Sequence, residues 1–231
     1  MQNDFVKTEE ERALMKRAAE ITDDVFDCVL DALKEGVTER QIAELIAQKT
    51  VEFGASGVSF DTIVAFGAGG AEPHHVPTDA ALEKGDMVTV DMGAVVGGYC
   101  SDFTRTVAFG EPDAEMRKVY QTVLEAYKRA FAAVADGVGC RAADAAARDY
   151  IAAQGYGEFY IHGTGHGVGT LIHESPTLNA RSEEVLRRGQ VVTVEPGIYL
   201  PDKGGVRIED MVTVGEGVPF SRHNRELIVL G

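Results

Sequence analysis

The chain has 231 residues, room for one large domain or two small ones. Charged residues at 26% and hydrophobic ones at 45% give the balance of an ordinary globular protein. Acidic side chains number 37 against 22 Lys plus Arg, a formal charge of −15, which argues against binding nucleic acid or an anionic membrane.

Cys28, Cys100 and Cys140 are odd in number and scattered, a pattern that suits a reducing compartment and small core residues. The stretch Met1 to Glu11 is polar, without the apolar segment of a signal peptide. No run approaches the ~18 apolar residues of a membrane span. The expectation is a cytoplasmic protein.

In chain order, a long amphipathic helix containing Met15-Lys16-Arg17 leads to a break at Gly36-Val37, then a second helix and a closing Gly54. A strand follows in Leu82 to Asp91, then a turn containing Val96-Gly97-Gly98, then a second strand from Ser101 to Phe109. The pattern then starts again. Met116-Arg117-Lys118, Gly137-Val138, Arg141 and Gly155 repeat Met15-Lys16-Arg17, Gly36-Val37, Arg40 and Gly54 at an offset of 101. Leu186 to Glu195 repeats Leu82 to Asp91 at an offset of 104, and a strand from Val206 to Val214 closes the copy. The chain therefore reads as two related α/β halves, about residues 8–110 and 111–231.

In both copies an acid ends an apolar Val-Thr-Val run, although acids are disfavoured in strand interiors and a buried carboxylate needs a partner. A two-residue loop at Val96-Gly97 would put Asp91 directly across from Asp102. A three- or five-residue loop within Pro201-Asp202-Lys203-Gly204-Gly205 would put Glu195 opposite Glu209. Facing like charges destabilise a sheet, and two divalent cations would balance the four. The ordinary alternative for any one of them is an acid on a solvated strand face.

Histidine is concentrated in a glycine-rich stretch, Ile161-His162-Gly163-Thr164-Gly165-His166-Gly167-Val168-Gly169, followed by Ile172-His173-Glu174. It lacks the spacing of a phosphate-binding loop, and glycine beside histidine lets backbone and ligand approach closely. His74 and His75 follow Pro73; His75 and the isolated His223 are read as scaffold.

On these residues the chain resembles the metal-dependent Xaa-Pro peptidases of the pita-bread (creatinase/methionine aminopeptidase) superfamily, metallopeptidase family M24. The stretches that carry the likeness are Ser59 to Ala65, Glu72-Pro73-His74-His75, Val90-Asp91-Met92-Gly93, Ser101 to Thr106, His162 to Gly169, Ile172-His173-Glu174, Val194 to Tyr199 and Gly205 to Asp210. The resemblance implies an α+β pita-bread fold, two pseudo-symmetric α/β halves around one dinuclear metal site. It implies Asp91, Asp102, His166, Glu195 and Glu209 as ligands of two divalent ions, Asp102 and Glu209 bridging. It gives catalytic roles to His74, His173 and Glu195, and substrate-binding or supporting roles to His162, Tyr199 and Arg207.

The implied reaction is hydrolysis of the peptide bond of Xaa-Pro dipeptides or N-terminal Xaa-Pro peptides. Water activated between the cations attacks, Glu195 shuttles its proton, and a protonated His74 or His173 stabilises the oxyanion. The hard, oxygen-rich donor set favours Mn2+, with Co2+, Fe2+ or Zn2+ as alternatives. The expected partner is a short peptide, with no nucleic acid and no membrane, and a homodimer is an expected assembly. Residues 1–231 read as a single catalytic domain from which the family's usual N-terminal domain is absent. The alternatives are a methionine aminopeptidase-like enzyme of this length and a non-catalytic pita-bread binding module. Phe60 and Tyr199 are candidates to line a proline-sized pocket.

Overall fold

The computed structural model describes residues 5–231; residues 1–4, the start of the polar N-terminal stretch, lie outside the described residues. Helix α1 (Glu9–Ala32) begins where Thr8 accepts from the Glu11 N–H while Glu11 accepts from the Thr8 N–H, a reciprocal cap that satisfies two otherwise orphaned donors. Thr38 and Gln41 repeat that cap at the start of α2 (Glu39–Glu52). Strands β1 (Ile63–Phe66), β2 (Met87–Met92), β3 (Val95–Val96), β4 (Tyr99–Cys100) and β5 (Phe103–Phe109) complete the first half.

The second half opens with α3 (Ala114–Ala133), capped by Asp113, and α4 (Cys140–Ala153). It continues through β6 (Gly165–Gly167), β7 (Glu174–Leu178), β8 (Val191–Val194), β9 (Gly197–Leu200), β10 (Gly204–Arg207), β11 (Glu209–Thr213) and β12 (Val229–Leu230). The main sheet runs β1-β2-β5-β11-β8-β6-β7, with β12 added parallel to β5; β3–β4 and β9–β10 are separate hairpins.

The sequence repeat is a structural repeat. The Gly36 N–H bonds the Leu82 carbonyl at 2.9 Å and the Leu82 N–H returns to Val37 at 2.8 Å. Gly137, Leu186 and Val138 form the same lock at 2.9 and 2.8 Å. Gly36 and Gly137 have φ of 84° and 81°, a left-handed turn that glycine adopts without strain.

Strand alternation decides which face holds what. Val88, Val90 and Met92 pack with Ile21, Val25, Ile42 and Ile46 of α1 and α2, while Thr89 and Asp91 face the other way. Val192 and Val194 pack with Val119, Val123, Ala143 and Ala147 of α3 and α4. Full burial of each such valine stabilises by about 1.5–3 kcal/mol. Both helix pairs thus cover one face of the sheet, and the polar residues of the Val-Thr-Val-acid runs are left on the other.

Two strand expectations need correction. The first hairpin turns at Gly97-Gly98, not Val96-Gly97: Val96 pairs with Tyr99, and both glycines have positive φ, 58° and 84°. Two consecutive positive φ values suit the two-residue turn that matches strand twist. The stretch Val206 to Val214 is also not one strand. It leaves the β9–β10 hairpin at Arg207 and joins the main sheet at Glu209, with Ile208 between.

Candidate metal centre

The acids sit where strands leave the main sheet. Asp91 pairs with Thr104 on β5, and Thr104 pairs with Glu209 on β11. Val194 of β8 pairs with Asp210, so the next step of that register sets Glu195 against Glu209. Asp91, Thr104, Glu209 and Glu195 therefore form one transverse row across four strands. The three-residue loop Pro201–Lys203 gives the β9–β10 hairpin this same register. Asp102 is diagonal to Asp91 rather than directly opposite, because the turn lies one residue later than expected. The shift in register is two residues, which keeps both side chains on one face.

His166 comes from β6, which Gly165 and Gly167 allow close to its neighbours. A Cβ on Gly165 would lie 2.0 Å from the Thr193 carbonyl, and one on Gly167 would lie 2.3 Å from the Ser175 carbonyl. His166 Nδ1 donates to its own chain at the Gly167 carbonyl, 3.0 Å, which turns Nε2 toward the acids. Nε2 stands 3.3 Å from Glu195 Oε1 and 3.5 Å from Asp102 Oδ2. One ligand atom from each of Asp102, His166 and Glu209 lies within 4.8 Å of the others.

This arrangement is electrostatically unfavourable by itself. Burial, then the charges of Asp91 and Glu195, push the Asp102 carboxyl well above the usual carboxylate range. Burial, then Asp102, Glu195 and Asp91, do the same to Glu209. Burial also raises Glu195, against the opposing pull of His162 and Arg207. It holds His166 and His162 below the ordinary imidazole value, in the neutral form that ligates cations. Asp91 Oδ1 is buried without a hydrogen-bond partner, and an oxygen left in that condition calls for a cation. Three carboxylates and an imidazole converge, with a fourth acid oxygen orphaned beside them; this donor set fits divalent metal ions.

A cavity of about 1010 Å3 opens over the cluster. Asp91, Asp102, His166, Glu195 and Glu209 all line it, as do His74, His173, His162, Arg207 and Phe60. Tyr199 is not on the wall. It is buried behind it, accepting from Arg207 Nη1 at 2.8 Å and bonded to His162 Nε2 at 2.7 Å. The Gly163 carbonyl occupies His162 Nδ1, so the neutral ring accepts the phenol proton at Nε2. Burial pushes the Tyr199 hydroxyl up to about 12, keeping that proton in place. Arg207 Nη2 then donates to Asp91 Oδ2 at 2.7 Å. The chain His162–Tyr199–Arg207 ends on an acid of the cluster and fixes its orientation. Burial, then His166, lowers His173, whose ring centroid is 4.4 Å from that of His166.

Two supporting residues carried only a faint signal. Thr193, the threonine of Val-Thr-Val, donates to Glu195 Oε1 at 3.2 Å and accepts from the His166 N–H. Thr104 donates to Glu209 Oε2 at 2.6 Å. Thr193 stands two residues before the acid on the same strand face, which is the clue its position offers. His223 lies away from the cavity, bonded to the Asp23 carbonyl and set edge-on to Phe26. No described helix is long and apolar enough to cross a membrane.

Comparison with known proteins agrees with this geometry. The model of metallopeptidase family M24 matches residues 13–216. The Xaa-Pro dipeptidase of Pyrococcus furiosus is 43% identical over 226 residues, 97% of this chain and 65% of that protein. The structure of an Xaa-Pro dipeptidase from Bacillus anthracis superposes with a TM-score of 0.96 at 45% identity, covering 98% of this chain and 64% of the other. An X-Pro aminopeptidase from Thermotoga maritima gives 0.96 at 40% identity, covering 99% and 66%. The chain thus spans just under two thirds of the length of each of these relatives, and its fold is their pita-bread fold. The family match runs from within α1 to beyond β11, taking in both halves of the repeat and every acid of the row, and the chain belongs to metallopeptidase family M24.

Proposed function

We propose that this chain is the catalytic unit of a metallopeptidase that hydrolyses the bond before proline in short Xaa-Pro peptides, using two divalent ions, Mn2+ first among them. The observation that carries the reading is the row of buried acids meeting His166 on the floor of an open cavity. Asp91, Asp102, His166, Glu195 and Glu209 would hold the ions. Bound there, the ions would supply Lewis acidity, polarising the scissile carbonyl and making water nucleophilic near neutral pH.

The remaining chemistry belongs to side chains. Glu195, steadied by Thr193, accepts a proton from the attacking water at its carboxylate and passes it to the departing nitrogen. His74 and His173, both exposed on the cavity wall, donate hydrogen bonds to the substrate carbonyl as negative charge develops on it. His162 and Arg207 border the space for the peptide, with Tyr199 holding both in place. Phe60 offers an apolar surface for a proline ring. Residues 1–231 act together, since the row takes acids from both halves of the repeat. The acidic charge fits an enzyme acting on small peptides rather than on nucleic acid, and the scattered free cysteines fit a reducing, cytoplasmic compartment.

The test is a panel of Ala-Pro, Ala-Pro-Ala and Met-Ala-Ser with protein stripped of metal and reconstituted with Mn2+. Cleavage of Ala-Pro or Ala-Pro-Ala that disappears on chelation is the expected result. Cleavage confined to Met-Ala-Ser would overturn the proline preference, and no cleavage of any would overturn the enzymatic reading.

A further inference from the structure

Glu39 is wholly buried at the first turn of α2, far along the chain from the acids of the row, and the hydrolysis described above does not use it. Its carboxylate is fully engaged. Oε1 accepts from the Phe66 N–H at the end of β1, 2.8 Å. Oε2 accepts from the Thr78 N–H at 2.8 Å and the Thr78 hydroxyl at 2.7 Å, and meets His75 Nε2 at 2.9 Å. Because a carboxylate only accepts, His75 donates at Nε2. One buried side chain therefore ties a strand end to both sides of the 75–78 segment.

His74, which lines the cavity, immediately precedes that segment. Among the described residues none hydrogen-bonds the His74 ring, so its place is set by the backbone on either side of it. The backbone is fastened to the same helix end: the Arg40 N–H bonds the Thr78 carbonyl at 3.0 Å and the Glu39 N–H bonds the Ala80 carbonyl at 3.2 Å. On the other side, Gly69 leaves no room for slack; a Cβ there would lie 3.1 Å from His75 Cε1 and 3.3 Å from Glu39 Oε1. Burial favours the neutral acid, but the bonds from Thr78, His75 and Phe66 outweigh it and hold the Glu39 carboxyl below its usual range. An ionised carboxylate with four donors around it is a rigid anchor.

We propose that Glu39 is a positioning residue for peptide hydrolysis, its carboxylate clamping His75 and Thr78 so that His74 is presented to the substrate. The proposal rests on the reading of His74 as a group that acts on substrate. His75, in this arrangement, serves as the donor that completes the clamp and takes no part in proton transfer.

The experiment compares wild type, Glu39→Gln, His75→Gln and His75→Ala by kcat and KM on Ala-Pro, by Mn2+ titration calorimetry and by hydrogen exchange of peptides spanning residues 72–79. Gln at position 39 sets an amide donor against a donor whichever way it turns: against the Phe66 N–H if its oxygen keeps Thr78 and His75, or against those three donors if it does not. For Glu39→Gln we expect kcat to fall by about 10-fold or more, since a misplacement of ~1 Å costs up to ~100-fold, with KM changed less than about threefold. Mn2+ affinity should stay within about twofold, and exchange at 72–79 should accelerate by about tenfold or more as the anchored amides open. His75→Gln, which keeps a donor near Nε2, should retain kcat within about threefold, whereas His75→Ala should resemble Glu39→Gln. A Glu39→Gln kcat within twofold of wild type, or unchanged exchange at 72–79, overturns the proposal; so does a His75→Gln variant as impaired as His75→Ala. If wild type cleaves none of the peptides, the peptidase reading falls, and the exchange comparison alone decides whether Glu39 holds the loop. If Glu39→Gln does not fold, the His75 pair decides.

Discussion

Glu209→Gln separates the two demands placed on the acid row, because it should destroy activity while making the metal-free protein more stable. Ligand atoms of Glu209 and Asp102 lie within 4.8 Å of each other, and Glu209 is 2% exposed. At an effective dielectric of about 20, two unit charges at that distance repel by about 3 kcal/mol. Proton uptake by the cluster already relieves part of this in the wild type, so a net gain of about 1–2 kcal/mol is expected. Gln can still accept from Thr104, so that buried hydroxyl keeps its partner. For a chain of this size the gain corresponds to a rise in melting temperature of about 2–8 °C, read by scanning fluorimetry after dialysis against chelator. Excess Mn2+ reverses the order: at 100 times Kd it stabilises wild type by about 2.7 kcal/mol, whereas the variant, short of one ligand charge, should gain far less. Xaa-Pro hydrolysis by the variant should fall below about one thousandth of wild type, several kcal/mol of transition-state stabilisation being lost. A metal-free variant that melts below wild type would refute the argument from repulsion, and an active one would refute the role of Glu209 as a ligand.

Other outcomes follow from the same geometry. Gly165→Ala places a methyl against the Thr193 carbonyl, so β6 must retreat and carry His166 with it; calorimetry should show Mn2+ affinity reduced by about tenfold or more. Asp144, buried on α4, accepts from Arg148 and from the Thr164 N–H and hydroxyl, and Arg148 in turn holds the carbonyls of Tyr160 and His162. Asp144→Ala should cost about 3 kcal/mol in urea unfolding, the low end for breaking a buried ion pair because water still reaches Arg148. The depressed carboxyl of Glu39 contributes stability that is complete above the unfolded-state value of about 4.3 and lost as pH falls through the lower folded-state value. Melting temperature against pH should therefore drop less steeply below about pH 4.5 in Glu39→Gln than in wild type.

Period and repetition in the sequence were enough for the two helix pairs, the glycine breaks at Gly36 and Gly137, and the strands that carry Asp91 and lead up to Glu195. These features are local: capping, left-handed turns and strand alternation act over a few residues, so the chain displays them directly. The glycines around His166 and the matched acids likewise stood out as costs repeated in two places. What lay beyond the sequence depends on contacts between distant segments. Asp102 is diagonal to Asp91 because the turn falls on Gly97-Gly98, and neighbouring dipeptides of similar turn chemistry do not reveal which one the surrounding sheet will select. Tyr199 is behind the cavity wall and not on it because Gly197 and Arg207 leave it a place there. Glu39 resembles any acid in a first helical turn until the fold brings Phe66, His75 and Thr78 to it across 27 to 39 residues. A carboxylate's partners are a property of the packed interior, and only the folded chain assembles them.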